Sequence, residues 1–241
     1  MSLSTLQSPA DCLPRDAERA TLVGRAWLPG VGPAVVGVRG ADLVDLTGVA
    51  GLPATSSALF ERADPAAAVR AALPAAPVIT PLAQVLANAD EATRDTTRPW
   101  LLAPCDLQVI KAAGVTFAAS LLERVIEERA GGDPARAQAI RGQVEQTIGT
   151  DLKAIKPGSP EALELKGLLV KQGMWSQYLE VGIGTDAEVF TKAPVLSSVG
   201  HGAEIGIHPV SAWNNPEPEV VLAVDSRGRI VGASLGNDVN L

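Results

Sequence analysis

The sequence predicts an α+β fold in which most of the regular structure is β. Short β-branched, apolar runs bounded by turn residues occur near both ends of the chain, at residues 20–46 and 188–235. Between them, residues 120–170 carry apolar side chains at the spacing of amphipathic helices. A chain of 241 residues can bury a sizeable core in one or two domains. We therefore expect a small N-terminal β module joined to a mixed, mostly β domain with helices at its rim.

The N-terminal module is predicted to occupy residues 20–98, after a disordered arm at residues 1–19. Turn residues separate its apolar runs, and serine and proline stand where short helices begin. Residues 88–98 are rich in Asp, Glu, Thr and Arg, which favours a linker. Three strands and then two short helices are expected, at residues 20–27, 34–39, 42–46, 56–61 and 65–73.

The second domain is predicted to occupy residues 99–241. Its middle part carries helix-capping residues, among them Asp133 and Ser159, directly before apolar periodic segments. After Gly173 the composition favours strands. Helices are expected at residues 120–130, 133–147 and 159–170, and strands at residues 178–183 and 188–192.

The last part of the chain has the pattern of a β-hairpin that carries acidic residues. Val220–Val224 is apolar enough for a buried strand, and residues 225–228 have turn chemistry. Glu217 and Glu219 are two residues apart, so their carboxylates leave one face of an extended chain, and the returning strand can bring Asp238 beside them. Because like charges repel, three carboxylates in this arrangement favour a hard-cation site. The alternative is a solvated acidic face that binds nothing.

The amino-acid composition disfavours some classes of binding partner and favours one cellular compartment. The net charge is −7 and there is no run of Lys and Arg, which disfavours nucleic acid and anionic membranes as partners. There is no apolar stretch long enough for a membrane span or a signal peptide. Cys12 and Cys105 are too few for a disulfide framework, which fits a cytoplasmic location.

Four stretches together resemble the fumarylacetoacetate hydrolase family: residues 114–124, residues 190–202, Glu217-Pro-Glu219 and the Asn-Asp-Val motif at residues 237–239. The likeness covers most of residues 20–241 and is strongest to the sugar-acid branch. That resemblance implies a mixed β-roll catalytic domain and a homodimer or homotetramer. Members of the branch continue well past the Asn-Asp-Val motif, so the domain is expected to be incomplete here.

The resemblance also implies site residues. Glu217, Glu219 and Asp238 match metal ligands for Mg²⁺ or Mn²⁺, whereas His201 and His208 are left outside the metal shell.

Three further residues match positions of the catalytic site. Glu123 stands where many hydrolytic members carry a histidine, which disfavours C–C bond hydrolysis and suits proton transfer beside a ketone. This role needs a raised pKa, for which apolar neighbours at residues 117, 121 and 122 are expected to supply the desolvation. Lys192 would meet a substrate carboxylate or hydroxyl, and Glu188, on the same strand face, is a second acid or base.

The predicted function is Mg²⁺-dependent dehydration of a small 2-oxo sugar acid. The resemblance implies a substrate of the 2-keto-3-deoxy-D-xylonate type, and 2,5-dioxopentanoate as the product, in pentose catabolism. A hydrolase of C–C bonds in 2,4-diketo acids is one alternative. An inactive fragment or binding remnant is another.

Overall fold

The structure of the chain, a computed structural model, describes residues 8–114, 123, 125–127, 129–148, 155–171, 173–175, 177–186, 188–212, 214 and 216–239. Helices are combined with antiparallel sheets, as predicted. In the described ranges helical residues outnumber strand residues, so the expected mostly β content is wrong there, and the mixed β-roll stays a prediction. The chain forms two compact units, Met1–Val109 with Ala193–Leu241, and Ile110–Lys192. The predicted boundary at residues 98–99 falls inside the first unit, and a catalytic domain at residues 99–241 stays a prediction. Within the described ranges, no helix combines the length and the apolar character that a bilayer crossing requires.

The first unit contains a five-stranded antiparallel sheet with helices on both faces. Its central strand β2, Gly32–Arg39, is buried on both sides. Ala34 and Val36 pack with helix α4, Leu82–Ala87, whereas Val35 packs with helices α2, Ser56–Phe60, and α3, Pro65–Ala72. This alternation follows from the two-residue period of a strand. The strands, in sheet order β4-β3-β2-β1-β5, are Val78–Pro81, Asp42–Asp45, Gly32–Arg39, Val23–Leu28 and Trp100–Leu102, and helices α1 to α4 are Pro9–Cys12, Ser56–Phe60, Pro65–Ala72 and Leu82–Ala87.

The segment predicted to be a linker is a hydrogen-bonded loop. The side chain of Asn88 is buried and donates to the backbone oxygens of Asp95 and Pro99, at 3.0 and 3.1 Å. The loop leads into β5, which pairs with β1 and extends the sheet. Leu13, in the arm predicted to be disordered, packs against the core of the sheet. Local composition favoured mobility, but the hydrogen bonds of the buried Asn88 side chain order the loop, and the contact of Leu13 joins the described part of the arm to the sheet.

A buried carboxylate joins β1 to the start of α2. Asp106 accepts hydrogen bonds from the backbone N–H groups of Ser56 and Ser57, at 2.7 and 2.9 Å, and lies 3.7 Å from the guanidinium of Arg25. Thr55 caps α2, where the sequence had indicated a serine. Burial raises the pKa of Asp106, but the backbone hydrogen bonds outweigh burial and lower it. The ionised form is therefore the one that the fold holds.

The second unit is mainly helical. Helices α5, Pro134–Ile148, and α6, Pro160–Lys171, begin where the capping residues Asp133 and Ser159 predicted. The described residues between 123 and 130 are also helical, and strands β6, Ile110–Ala113, and β7, Val189–Ala193, form a two-stranded sheet.

The strand predicted at residues 178–183 is wrong, because Gln177–Ile183 forms helix α7. Leu179 and Ile183 are four residues apart, so a helix presents both to one cluster, where each is 1% exposed. Burial of this pair prevails over the β-branched composition of the segment.

The predicted hairpin at the end of the chain is confirmed, but its predicted burial is wrong. Strand β8, Pro218–Val224, pairs with β9, Ile230–Asn237. Val220 is 68% exposed and Leu235 is 83% exposed. Within the described part of the chain this sheet has two strands, so its apolar side chains have no second layer to cover them.

The turn of the hairpin is fixed to the end of α2 by charge-assisted hydrogen bonds. Asp225 accepts from the Nε atoms of Arg229 and Arg227, at 2.7 and 3.2 Å. The same two guanidinium groups donate to backbone oxygens of Ala63 and Glu61. Burial raises the pKa of Asp225, but hydrogen bonds from Arg229 and Arg227 outweigh burial and lower it to about 2. The hairpin is thus held through its turn.

Replacing Asp106 with alanine is expected to destabilise the first unit. The substitution leaves the buried N–H of Ser56, the half-buried N–H of Ser57 and the charge of Arg25 without their acceptor, which should lower the free energy of unfolding by about 3 kcal/mol. Urea denaturation followed by circular dichroism measures the change. Asp16→Ala, at an exposed pair, is the control and should change the value by less than about 0.5 kcal/mol. Equal midpoints for the two variants would contradict the role of Asp106.

The lowered pKa of Asp225 predicts how the stability of the folded chain changes in acid. Its pKa is about 2 in the folded chain, below about 3.9 in an unfolded one. Its stabilising contribution is therefore complete above about pH 4 and is lost as the pH falls through about 2. Asp225→Asn should be less stable than the wild type at neutral pH, and the difference should shrink over this acid range. Urea midpoints measured across the range test this, and a constant difference would show that the Asp225 charge is not linked to folding.

Candidate functional site

The register of the hairpin places three carboxylates on one face. Glu217 and Asp238 exchange backbone N–H···O bonds of 3.1 and 2.9 Å, so they are directly opposite each other. Opposed residues in such a pair have Cα atoms about 5.5 Å apart and side chains on the same face. Glu219, opposite Gly236, lies two residues further along that face. Glu217 and Asp238 are half-buried, and Glu219 is exposed.

A β-bulge near the turn determines this arrangement. Ala223 pairs with Gly232, whereas Val224 pairs with Ile230, so Val231 is an extra residue in β9. Without it Glu217 would face Asn237, and the side chain of Asp238 would leave the opposite face. The bulge therefore brings Asp238 beside the two glutamates.

Gly236 keeps the acidic face open beside Glu219. A Cβ atom at this position would lie 2.7 Å from Cγ2 of Val221, on the same face. A larger residue would have to displace that neighbour. Steric contact with Val221 thus explains why a glycine, Gly236, directly precedes the Asn-Asp-Val motif.

The donor set on this face fits a hard cation, because carboxylate oxygens are the ligands that Mg²⁺ and Mn²⁺ prefer. In the described ranges, no three Asp, Glu, His or Cys side chains are gathered closely enough to hold a metal ion. The backbone register places the three acids on one face, but the described side chains do not converge on one point. Metal binding by Glu217, Glu219 and Asp238 stays a prediction.

Glu123 is held by an arginine. Nε and an Nη atom of Arg141 donate to its two carboxylate oxygens, at 3.0 and 2.6 Å. These hydrogen bonds, with the positive charge, outweigh partial desolvation and lower the pKa of Glu123. The raised pKa expected from the sequence is therefore wrong. The apolar neighbours expected to raise it, at residues 117, 121 and 122, lie outside the described residues.

Glu188 and Lys192 lie at the exposed strand β7. The backbone oxygen of Glu188 accepts from the N–H of Gly114 at 2.9 Å, which fixes the start of the strand. Lys192 lies four residues further, and both side chains are exposed. Lys111 of β6 donates to the Thr191 hydroxyl at 2.7 Å. This places a second ammonium group on the two-stranded sheet, and the sequence analysis did not select it.

Sequence analysis also missed Arg141, although a signal was present. Gly131 and Gly132 have positive φ values of 61° and 81° and separate the helical residues up to 130 from α5. Two helices joined by so short a turn are antiparallel neighbours. A search of α5 for a cation to pair with Glu123 would have found Arg141.

Packing explains the glycine that follows His201 in the sequence. A Cβ atom at Gly202 would lie 2.5 Å from the backbone oxygen of Ala89, so this loop needs glycine where it approaches the loop after α4. His201 and His208 remain outside the proposed metal shell.

The comparisons with known proteins give partial matches. No family model and no solved structure matches the chain. A stretch of 53 residues is 42% identical to the 2-dehydro-3-deoxy-D-arabinonate dehydratase of Saccharolobus solfataricus, covering 22% of this chain and 18% of that protein. A stretch of 70 residues is 39% identical to a probable 2-keto-3-deoxyxylonate dehydratase of Haloferax volcanii, covering 29% of this chain and 24% of that protein. The matches thus span less than a quarter of each relative, and they support a relationship of this chain to enzymes that dehydrate sugar acids.

Proposed function

We propose that this chain carries out the Mg²⁺-dependent dehydration of a 2-keto-3-deoxy sugar acid, of the 2-keto-3-deoxy-D-xylonate type, to 2,5-dioxopentanoate. The observation that carries the proposal is the hairpin register, which sets Asp238 opposite Glu217 and puts Glu219 on the same face. The names of the two partly matching dehydratases support the reaction class and the kind of substrate.

Glu217, Glu219 and Asp238 would hold the cation, which is Mg²⁺ or Mn²⁺. Three protein carboxylates would leave further positions on the cation open to the carboxylate and keto oxygens of a 2-oxo acid. When bound, the cation would polarise the keto group and make the neighbouring C3–H bond more acidic.

Acidic and basic side chains would move the protons. Glu123, with Glu188 as the alternative, takes a proton from C3, and Lys192 or a protonated carboxyl assists the C4 hydroxyl as it leaves. One proton and one hydroxide depart as water. A proton shift from C5 to C3 then converts the unsaturated alcohol into an enol, and transfer of the enol hydroxyl proton to C4 gives the aldehyde. The net change is the loss of one water. The lowered pKa of Glu123 keeps it ionised, the form that a base requires, but also makes it a weak base.

The proposal includes a cytoplasmic homodimer or homotetramer. Large apolar side chains of the hairpin are exposed on both strands, among them Val220, Ile230 and Leu235 at 68, 65 and 83%. Contiguous exposed apolar surface of this kind favours association with further protein.

Metal binding is tested by thermal stabilisation. At about 100 times its Kd, Mg²⁺ should stabilise the chain by about 2.7 kcal/mol, which raises the Tm by roughly 5–10 °C for this size. Glu217→Gln and Asp238→Asn should each remove most of the shift, because each replaces an anionic oxygen ligand. Differential scanning calorimetry with and without MgCl₂ measures it, and Glu18→Gln is the control. A full shift in Glu217→Gln would take that carboxylate out of the metal site.

The reaction class is tested by product analysis. The chain, incubated with 2-keto-3-deoxy-D-xylonate and Mg²⁺, should form 2,5-dioxopentanoate, whose aldehyde proton is visible by NMR, and EDTA should stop the reaction. Glu219→Gln should lose at least about 100-fold in kcat, as expected when an electrostatic group of the site is removed. Cleavage of a 2,4-diketo acid into two acids, with no aldehyde, would favour the hydrolase. If the chain showed no metal binding and no turnover, that result would favour an inactive binding fragment.

A further inference from the structure

The ion pair between Arg141 and Glu123 has the form of a carboxylate receptor that is already filled. The guanidinium meets the carboxylate side-on, with Nε to one oxygen at 3.0 Å and Nη to the other at 2.6 Å. This two-bond geometry is the one by which arginine recognises the carboxylate of a ligand. A 2-oxo acid carries the same planar group.

The guanidinium is oriented by its own helix as well as by Glu123. Its second Nη atom donates to Oε1 of Gln138, three residues earlier on α5, at 2.9 Å. Ala137 and Ile140 pack against the apolar cluster that contains Val125 and Ile126. Helix α5 is thus held beside the helical residues around Glu123, and the arginine stays aimed when the glutamate moves away.

The pair is accessible enough to open. The side chains of Arg141 and Glu123 are 33% and 47% exposed, whereas the structural pair of Arg25 and Asp106 is 11% and 6% exposed. An exposed pair contributes little net stability, because water replaces each partner at small cost. A ligand carboxylate can therefore replace Glu123 without unfolding the unit.

We infer that Arg141 binds the carboxylate of the 2-oxo acid substrate, and that this carboxylate displaces Glu123 from the guanidinium. The inference rests on the proposed function for the identity of the ligand and for the role of Glu123. Displacement also releases Glu123 from the hydrogen bonds that keep its pKa low, so the carboxylate becomes a stronger base when substrate is present. Arg141 is then a binding residue that also controls the base.

Pyruvate, which has the 2-oxo carboxylate but no C4 hydroxyl to lose, is the probe, and isothermal titration calorimetry with Mg²⁺ present measures its Kd. Glu123→Gln should bind pyruvate about tenfold more tightly than the wild type, because the neutral amide competes less well for the guanidinium. Arg141→Gln should bind about tenfold more weakly, and Arg141→Lys, which keeps the charge but not the fork, should fall between them. Methyl pyruvate, the neutral ester, should bind these variants and the wild type equally.

The matched control is Arg136→Gln, which removes an exposed arginine from the same helix and should leave the Kd for pyruvate unchanged. Circular dichroism melts establish that each variant is folded, and Arg141→Lys serves where Arg141→Gln does not fold. A purely structural ion pair predicts lower stability in Glu123→Gln with no tighter binding. That result would overturn the inference, as would an unchanged Kd in the Arg141 variants, or no pyruvate binding to the wild type and Glu123→Gln.

The outcomes separate this inference from the proposed function. Metal stabilisation and water loss in the wild type, with unchanged pyruvate binding in the Arg141 variants, would overturn the inference alone. Pyruvate binding that follows the expected order, without any dehydration, would support Arg141 as a carboxylate receptor and overturn the dehydratase proposal. Where turnover is measurable, Arg141→Lys should raise KM more than it lowers kcat, because the lost interaction binds the substrate carboxylate.

Discussion

The pairing of Glu217 with Asp238 is the constraint on which the candidate site depends. Two backbone hydrogen bonds join these residues, and a register shift of one residue would send the Asp238 side chain to the other face. The bulge at Val231 produces the observed register, and the Asp225 turn fixes the end of the hairpin where the bulge occurs. The chemistry proposed for the acidic face therefore depends on geometry set at the far end of two short strands.

Much of the fold follows from local sequence, because its turns and caps carry strong signals. The turn at residues 225–228 located the hairpin, and Asp133 and Ser159 located the starts of α5 and α6. The bulge had no such signal: it depends on how the two strands pair, which no single segment specifies. The sequence therefore predicted that Asp238 returns towards Glu217, and only the register establishes that it is opposite.

The errors arose where tertiary contacts decide the structure. The segment that became α7 has a β-branched composition, but Leu179 and Ile183 reach the helical core only from a helix. Val220 was expected to be buried because it is apolar, yet burial depends on a second layer that a local pattern does not reveal. The pKa of Glu123 likewise depends on Arg141, which belongs to the next helix.

Asp106, Asp225 and Glu123 are each paired with arginine, and the burial of the acid separates their roles. Asp106 and Asp225 have side chains 6% and 0% exposed, and each also accepts backbone N–H groups, so neither can be released without leaving backbone donors without their acceptor. Removing one partner of a pair that is buried on both sides, such as Arg25 and Asp106, costs about 3–5 kcal/mol, whereas an exposed pair contributes only about 0.2–1 kcal/mol. Glu123, at 47% exposed, belongs to the second kind. The same chemical pairing therefore locks the fold at two positions, and at the third it leaves a carboxylate that binding of another anion can release.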